Sequence, residues 1–415
     1  MKNRKMIALL LVSSLAATVF CGSAYAGRRV KPIAEQLAER AILETPQEKT
    51  LRLGEDGKPR VIITSDLEID DDERNLFIMT WGGFNTVARA FLSIYEQYNE
   101  TEEWEAIYQK VCDKAIIIGN GQDWTYEDYI KEKYPDLVLA INTCGYAGYS
   151  AALNAQADAL YTFQADWLKE NIKFDHGSLN AIYKTVNDGQ HIEGEEDKYQ
   201  FGETNIVYDK EYNDYDFIAE GDSSGFIGLI SGTGFRGFEN GSFGSYGGRY
   251  MFVKANGEDA GYLTTLSGGV VPGQYVNPEN NNIEKYNPYL LDFQMEWAAR
   301  ADWCVNTYEN CNHAPVVEME EKDFTAAPGD TVTFAAKITD PDGDACTAEW
   351  TIDPTGGVYH SEDMTIYEWT ADTAEAYFTI PEDAQSGDSF MLTLRARDDA
   401  DAVMTRYTQV QIVVE

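Results

Sequence analysis

The stretch Arg60-Val61-Ile62-Ile63-Thr64-Ser65-Asp66-Leu67-Glu68-Ile69-Asp70-Asp71-Asp72 decides how the larger part of this chain is read. Arg60 to Ser65 follows the turn residues between Gly54 and Pro59. A continuous apolar run bounded by turn signals marks a central strand of a parallel sheet. That strand runs straight into up to five carboxylates, Asp66, Glu68, Asp70, Asp71 and Asp72. Like charges so close repel unless a cation or hydrogen bonds neutralise them. Hard oxygen ligands favour calcium over zinc or copper. The spacing is not that of an EF-hand loop, which needs a glycine turn and a late glutamate in register. The plainer alternative is a solvated loop in an already acidic protein.

Working outward, Leu76 to Thr80 is a second apolar run, followed by Trp81-Gly82-Gly83. The spacing of Val87, Ala90, Phe91 and Ile94 predicts a helix over Asn85 to Tyr98. Ala115 to Ile118 and Leu137 to Ile141 read as further strands, and Phe217-Ile218-Ala219 as another, leading into Glu220-Gly221-Asp222. Strands alternating with helices, each strand ending in Gly, Asn or Asp, describe an α/β sheet with its site at the carboxyl edge. Residues 232–248 are rich in glycine and aromatics, which suits a surface loop or a sugar-contacting lid. Tyr289 to Val305 is an amphipathic helix closing the domain.

From Asn312 the texture changes. Val316-Val317, Thr331 to Phe334, Ala348 to Ile352, Ala376 to Ile380, Phe390 to Ala396 and Thr408 to Val414 are short β-type runs separated by turns. That pattern predicts a β-sandwich of immunoglobulin-like type. Asp340-Pro341-Asp342-Gly343-Asp344 is either a plain Asp-Gly turn or a structural calcium loop. Trp350, Tyr359, Tyr367 and Trp369 are either sugar-stacking residues or the aromatic core of the sandwich.

The amino terminus has the form of an export signal. Lys2, Arg4 and Lys5 precede an apolar stretch from Ile7 to Phe20, and Ser23-Ala24-Tyr25-Ala26 offers small residues for cleavage after Ala26. The stretch is short for a membrane span. The expectation is a secreted or periplasmic protein with domains at 27–57 (an arm), 58–308 (α/β) and 313–415 (sandwich). Loss of the three basic residues of the signal takes the formal charge from −38 to −41. Such a surface repels nucleic acid and anionic membrane and suits cations or neutral ligands. With 44% hydrophobic and 13% aromatic residues, the chain has material for a sizeable core. After cleavage five cysteines remain, an odd number, of which Cys304 and Cys311 are close enough in sequence for a local bridge.

Several motifs in order carry a family resemblance. Thr64-Ser65-Asp66-Leu67-Glu68-Ile69-Asp70-Asp71 resembles the first-strand motif of nucleoside-hydrolase-like proteins. Trp81-Gly82-Gly83-Phe84-Asn85-Thr86 resembles their second, Gly-rich motif, and Glu220-Gly221-Asp222-Ser223 stands where a third supplies a late aspartate. Gly247-Gly248-Arg249-Tyr250, Ala299-Arg300-Ala301-Asp302-Trp303 and Asn312-His313-Ala314-Pro315-Val316-Val317 are similar to one exported branch, the cellulose-binding proteins of polysaccharide-degrading bacteria.

The resemblance implies a Rossmann-type sheet followed by an immunoglobulin-like sandwich. It also implies calcium held by Asp66, Asp71, Asp222 and the Thr80 carbonyl. Asp70 would be the general base for hydrolysis of an N-glycosyl or related glycosidic bond. Asn85 would orient the ligand or its loop. The partner would be a carbohydrate or nucleoside-like small molecule, including cellulose. A non-catalytic glycan-binding protein, or an inactive internally deleted remnant, is the alternative.

The chain departs from the family pattern in two places. Gly221 stands where classical members often place a leaving-group histidine. The residues from Asp66 to Leu76 are too few for the usual loop plus helix, so the sheet is expected to be incomplete. Val61–Ser65 and Leu76–Thr80 are then expected to pair differently or lie apart.

Overall fold

The computed structural model describes residues 60–62, 76–80, 83–120, 125–142, 151–190, 202–207, 209–218, 231–237, 243–246, 250–255, 258–265, 289–358, 369–371 and 374–415. The proposed signal and arm lie outside these residues, as do Asp66, Glu68, Asp70, Asp71 and Asp222.

Leu76–Thr80 (β2) and Ala115–Asn120 (β3) are neighbours in a six-stranded sheet, flanked by Arg60–Ile62 (β1) and Val138–Asn142 (β4). These four strands are parallel. The two-residue strands β5 (Ile206–Val207) and β6 (Lys210–Glu211) form a separate small hairpin. Tyr250–Ala255 (β7) and Glu258–Thr265 (β8) form an antiparallel hairpin, whose β8 continues the sheet in parallel against β4. The α/β reading therefore holds, with strands in the order β1-β2-β3-β4-β8-β7.

One expectation is overturned. β1 pairs directly and in parallel with β2, Arg60 opposite Leu76 and Ile62 opposite Ile78. Between the described parts of β1 and β2 lie about a dozen positions, the lower limit for a parallel crossover. Counting from Asp66 understated the length available. A second expectation also fails, because Phe217 and Ile218 are buried but belong to no strand. The Asp216 carboxylate accepts the amides of Ala165 (2.9 Å) and Asn213 (2.8 Å), and the Phe217 amide donates to Phe163. The Phe217 amide is thus satisfied by a loop carbonyl rather than by a strand neighbour.

One sheet face is covered by helices α1 (Asn85–Tyr98) and α2 (Trp104–Lys114) and by residues 126–134. Val87, Ala88 and Phe91 of α1 are buried against Leu76, Ile78 and Ile117. Ala88 is buried, whereas Ala90, expected on the inward face, is only half-buried. A second apolar cluster joins residues 151–218 to the late helix α3 (Leu290–Trp303).

The C-terminal region is a two-layered β-sandwich. One layer has Asp323–Ala326 (β10), Thr405–Val414 (β17), Ser389–Arg397 (β16) and Thr347–Val358 (β13), in that order. The other has Thr331–Ala335 (β11), Glu375–Thr379 (β15) and Trp369–Ala371 (β14). Val316–Glu318 (β9) and Lys337–Thr339 (β12) pair separately. Phe334, Phe378, Phe390, Leu392 and Ile412 fill the space between the layers. Trp350 is 3% exposed and belongs to that core, which removes it as a sugar platform.

The outer face of the four-stranded layer is also buried, because α3 and residues 231–237 and 243–246 dock on it. Asp292, 2% exposed, receives Nε and Nη2 of Arg395 at 2.6 and 2.5 Å, the Arg397 guanidinium and the Tyr407 hydroxyl. Glu296 pairs with Arg406 (2.7 Å) and Arg300 (2.6 Å). Burial alone would lower the Arg395 pKa, but the Asp292 hydrogen bonds and charge outweigh it and hold the group well above its ordinary value.

The glycine- and aromatic-rich segment completes this junction. Phe235 stacks on Tyr407 at 4.0 Å, Arg236 forks onto Asp323 at 2.8 and 3.0 Å, and the Gln409 side chain bridges the Arg236 amide and the Phe243 carbonyl. Gly234, at φ +91°, lies so close to the Tyr407 backbone that no side chain fits. The described part of this segment is therefore neither a free loop nor a lid.

Among the described residues, Cys112, Cys304, Cys311 and Cys346 form no disulfide. Cys304 Sγ turns back along α3 to the Arg300 carbonyl, and the local bridge is not formed.

Two stability predictions follow from buried charge. Asp292→Ala leaves two guanidinium groups without their carboxylate and should cost about 3–5 kcal/mol, measurable as a lower urea midpoint. Lys173 and Asp188 form a second buried pair at 2.8 Å. Burial raises the Asp188 pKa, but the Lys173 hydrogen bond and the amides of Thr185 and Gln190 lower it further, leaving it below the usual carboxylate value. A depressed carboxyl contributes stability above its unfolded pKa, and that stability is lost as pH falls through the folded value. Lys173→Met should therefore destabilise at neutral pH and flatten the acid limb of a melting-temperature profile.

Candidate functional site

β2 delivers Thr80 to the carboxyl edge of the sheet, where it is 4% exposed. Its hydroxyl oxygen is buried without a hydrogen-bond partner. An orphaned buried hydroxyl is costly, and such sites in native proteins call for an explanation. The chain then turns at Gly83, whose φ of +121° suits glycine, and Phe84 folds inward before α1 begins. The Phe84 ring packs over Gly119 of β3. A Cβ there would lie 2.5 Å from the ring and 2.9 Å from the Thr80 hydroxyl.

Asn85, the first residue of α1, is exposed, and its carboxamide oxygen accepts the Thr125 hydroxyl at 2.9 Å. That bond ties the start of α1 to Thr125, which follows β3 in the chain. Of the residues expected to form the site, the structure places Thr80 and Asn85 at this edge. Asp66, Asp70, Asp71 and Asp222 lie outside the described residues.

A second acidic site lies on the sandwich. Asp340, Asp342 and Asp344 each offer an oxygen within 4.8 Å of the others. Asp340 Oδ1 accepts the amides of Asp342, Gly343 and Asp344 at 2.8–3.1 Å, with Gly343 at φ +88°, so the Asp-Gly turn is formed. Asp342 accepts the amide and ring Nδ1 of His313 at 2.7 and 3.0 Å. Burial and the negative charges of Asp340, Asp399 and Asp342 push the Asp344 carboxyl upward.

Comparison with known proteins fits this architecture. Residues 39–250 match the family model described as cellulose-binding Sde182, nucleoside hydrolase-like domain. The chain belongs to this family. Residues 331–414 match the model described as cellulose-binding protein Sde0182, C-terminal domain. A solved structure of a nucleoside hydrolase-related hypothetical protein from Saccharophagus degradans, associated with carbohydrate metabolism, is 20% identical with a TM-score of 0.56. The match covers 83% of this chain and 72% of that one, and it shows a shared fold. Titin domain M7 matches 24% of this chain and 93% of its own, at 19% identity and a TM-score of 0.17, too low to carry an argument. No curated protein matches the sequence. No helix among the described residues is long and apolar enough to cross a membrane.

Sequence reasoning missed the Arg395–Asp292 junction and the close approach at Gly119. The signal for the first was the pair Arg395 and Arg397, two apart on one strand and so on one face, in a chain short of positive charge. Gly119→Ala should overpack the Thr80–Phe84 contact and lower stability by about 1–3 kcal/mol, read from urea unfolding.

Proposed function

We propose that this protein is an exported carbohydrate-binding protein that engages cellulose-type glucan chains. The observation that carries the reading is the pair of family matches, over 39–250 and 331–414, each to a model described as cellulose-binding. The strongly acidic chain supports a neutral ligand over polyanions.

A second reading, calcium-dependent hydrolysis of an N-glycosyl or related glycosidic bond, is favoured by Thr80. Thr80 is buried at the carboxyl end of β2, and its unpartnered hydroxyl is a hard oxygen of the kind calcium takes, beside the carbonyl that the reading assigns to the ion. In this reading Asp66, Asp71, Asp222 and the Thr80 carbonyl hold the ion, which supplies positive charge that acidifies a nearby water. Asp70 takes the proton from the attacking water, and Asn85 keeps the edge in place through Thr125. Calcium at the Asp340 turn is a separate, structural possibility.

Full-length protein should be depleted from solution by microcrystalline cellulose; protein left in the supernatant at low salt counts against the binding reading. For the hydrolase reading, calcium should raise the melting temperature of metal-stripped protein, with the rise reduced by Asp66→Asn. Asp340→Asn separates any contribution of the sandwich turn. Asp70→Asn should abolish nucleoside turnover while leaving the calcium shift largely intact. No turnover by the unaltered chain would favour the non-catalytic or remnant alternative.

A further inference from the structure

We propose that a cavity between α1, α2 and the segment before β4 is a subsite for a single hexose ring of a neutral glucan chain. This rests on the carbohydrate-binding reading and gives it a location. The cavity, about 270 Å³, is lined by Tyr95, Trp104, Tyr108, Pro135, Glu105, Glu132 and Lys133. The last two lie just ahead of β4, whose first residue is Val138, so the cavity sits towards the amino edge of the sheet. It is thus separate from the edge that carries Thr80 and Asn85.

The aromatic wall is built rather than incidental. Trp104 meets Tyr95 edge-on at 5.3 Å and contacts Tyr108 and Tyr134, each at 5.7 Å. Tyr108 lies parallel to Tyr134 at 6.0 Å and 6°, and Tyr134 is itself fully buried, with its hydroxyl bonded to the Phe91 carbonyl. The Tyr108 hydroxyl donates to Asp136 at 2.5 Å. Every ring is therefore held by another ring or a hydrogen bond, and all three lining aromatics stay partly open to solvent. Rigid aromatic surface of this kind costs little ordering entropy when a ligand lands on it.

The polar groups complete the match. Lys133 sits over the Tyr95 ring at 5.5 Å and 3.9 Å from Glu132, with Glu105 exposed on the rim. Two carboxylates and one ammonium accept and donate hydrogen bonds to hydroxyl groups, while the net negative rim disfavours anions. An equatorially substituted sugar presents an apolar face to the aromatics and a ring of hydroxyls to those charges. The volume falls just below the roughly 300–1,000 Å³ typical of pockets that enclose a drug-sized molecule, so one ring enters and the chain crosses the exposed rim.

The test uses the full-length protein, with microcrystalline cellulose and with cellohexaose in calorimetric titration. Wild type should bind both. Trp104→Ala should weaken binding about ten-fold or more, as removal of a packed aromatic anchor does. Because Trp104 also supports the core, the rim variant Glu105→Ala/Glu132→Ala is measured beside it; both residues are exposed, so its melting temperature should stay near wild type while affinity falls. Wild-type affinity in the rim variant together with wild-type affinity in a still-folded Trp104→Ala overturns the subsite and leaves glycan binding elsewhere standing. Loss of binding in Trp104→Ala only through unfolding, with the rim variant unchanged, also overturns it. Failure of wild type to bind either ligand overturns the carbohydrate reading and the subsite together.

Discussion

The Asp292 carboxylate is the fixed point on which the two halves of the described structure meet. It is almost entirely out of water, in a chain with 70 acidic and only 32 basic residues. A buried carboxylate is tolerated only when its lone pairs are filled and its charge is met. Arg395 and Arg397 meet the charge, and Tyr407 adds a neutral donor. These three residues are available together because of sheet geometry: Arg395 lies directly opposite Tyr407 in the β16–β17 register, and Arg397 follows two residues on. The period-two alternation then sends all three to the same face.

The consequence is a sandwich whose four-stranded layer is buried on both sides. In β16 the run from Phe390 to Leu394 is buried without alternation, and β17 is buried at Tyr407, Thr408, Gln409 and Val410 in succession. Such continuous burial is usual for strands covered on both faces and unusual for an antiparallel layer facing water. The inner face meets the other sheet layer; the outer face meets α3, Phe235 and Tyr246. An aromatic cluster of Phe235, Tyr246, Tyr289 and Tyr407 fills the remaining space, and burial pushes the Tyr246 and Tyr407 phenols well above their ordinary pKa. They remain neutral, which suits an apolar contact beside a charged one.

The two candidate regions of the α/β part offer different groups. The carboxyl edge offers a buried, unsatisfied oxygen at Thr80 and a hydrogen bond, Asn85 to Thr125, that pins neighbouring segments. The helix layer towards the other edge offers partly exposed aromatic surface braced by Tyr134. In the proposed readings the first would take a hard cation and the second a ring with an apolar face. Family membership supports carbohydrate for the protein as a whole.

The sequence by itself determined the elements whose local pattern is strong. Leu76–Thr80 and Asn85–Tyr98 fall where the apolar run and the helical spacing place them, and six of the sandwich strands follow their β-type runs. Strands β10, β12 and β14 were not legible, since three- and four-residue segments such as Lys337–Thr339 carry too few positions to show alternation. The carboxylate motif was legible as chemistry, and the family resemblance it carried agrees with the family matches. The fate of the glycine- and aromatic-rich segment, the pairing of β1 with β2 and the docking of the sandwich were decided only by tertiary structure. Each depends on residues far apart in the chain, Gly234 against Tyr407 and Asp292 against Arg395, whose proximity no local pattern encodes. The sequence named the acidic cluster and the aromatics; only the fold could say which aromatics are core, which are clamp and which still face water.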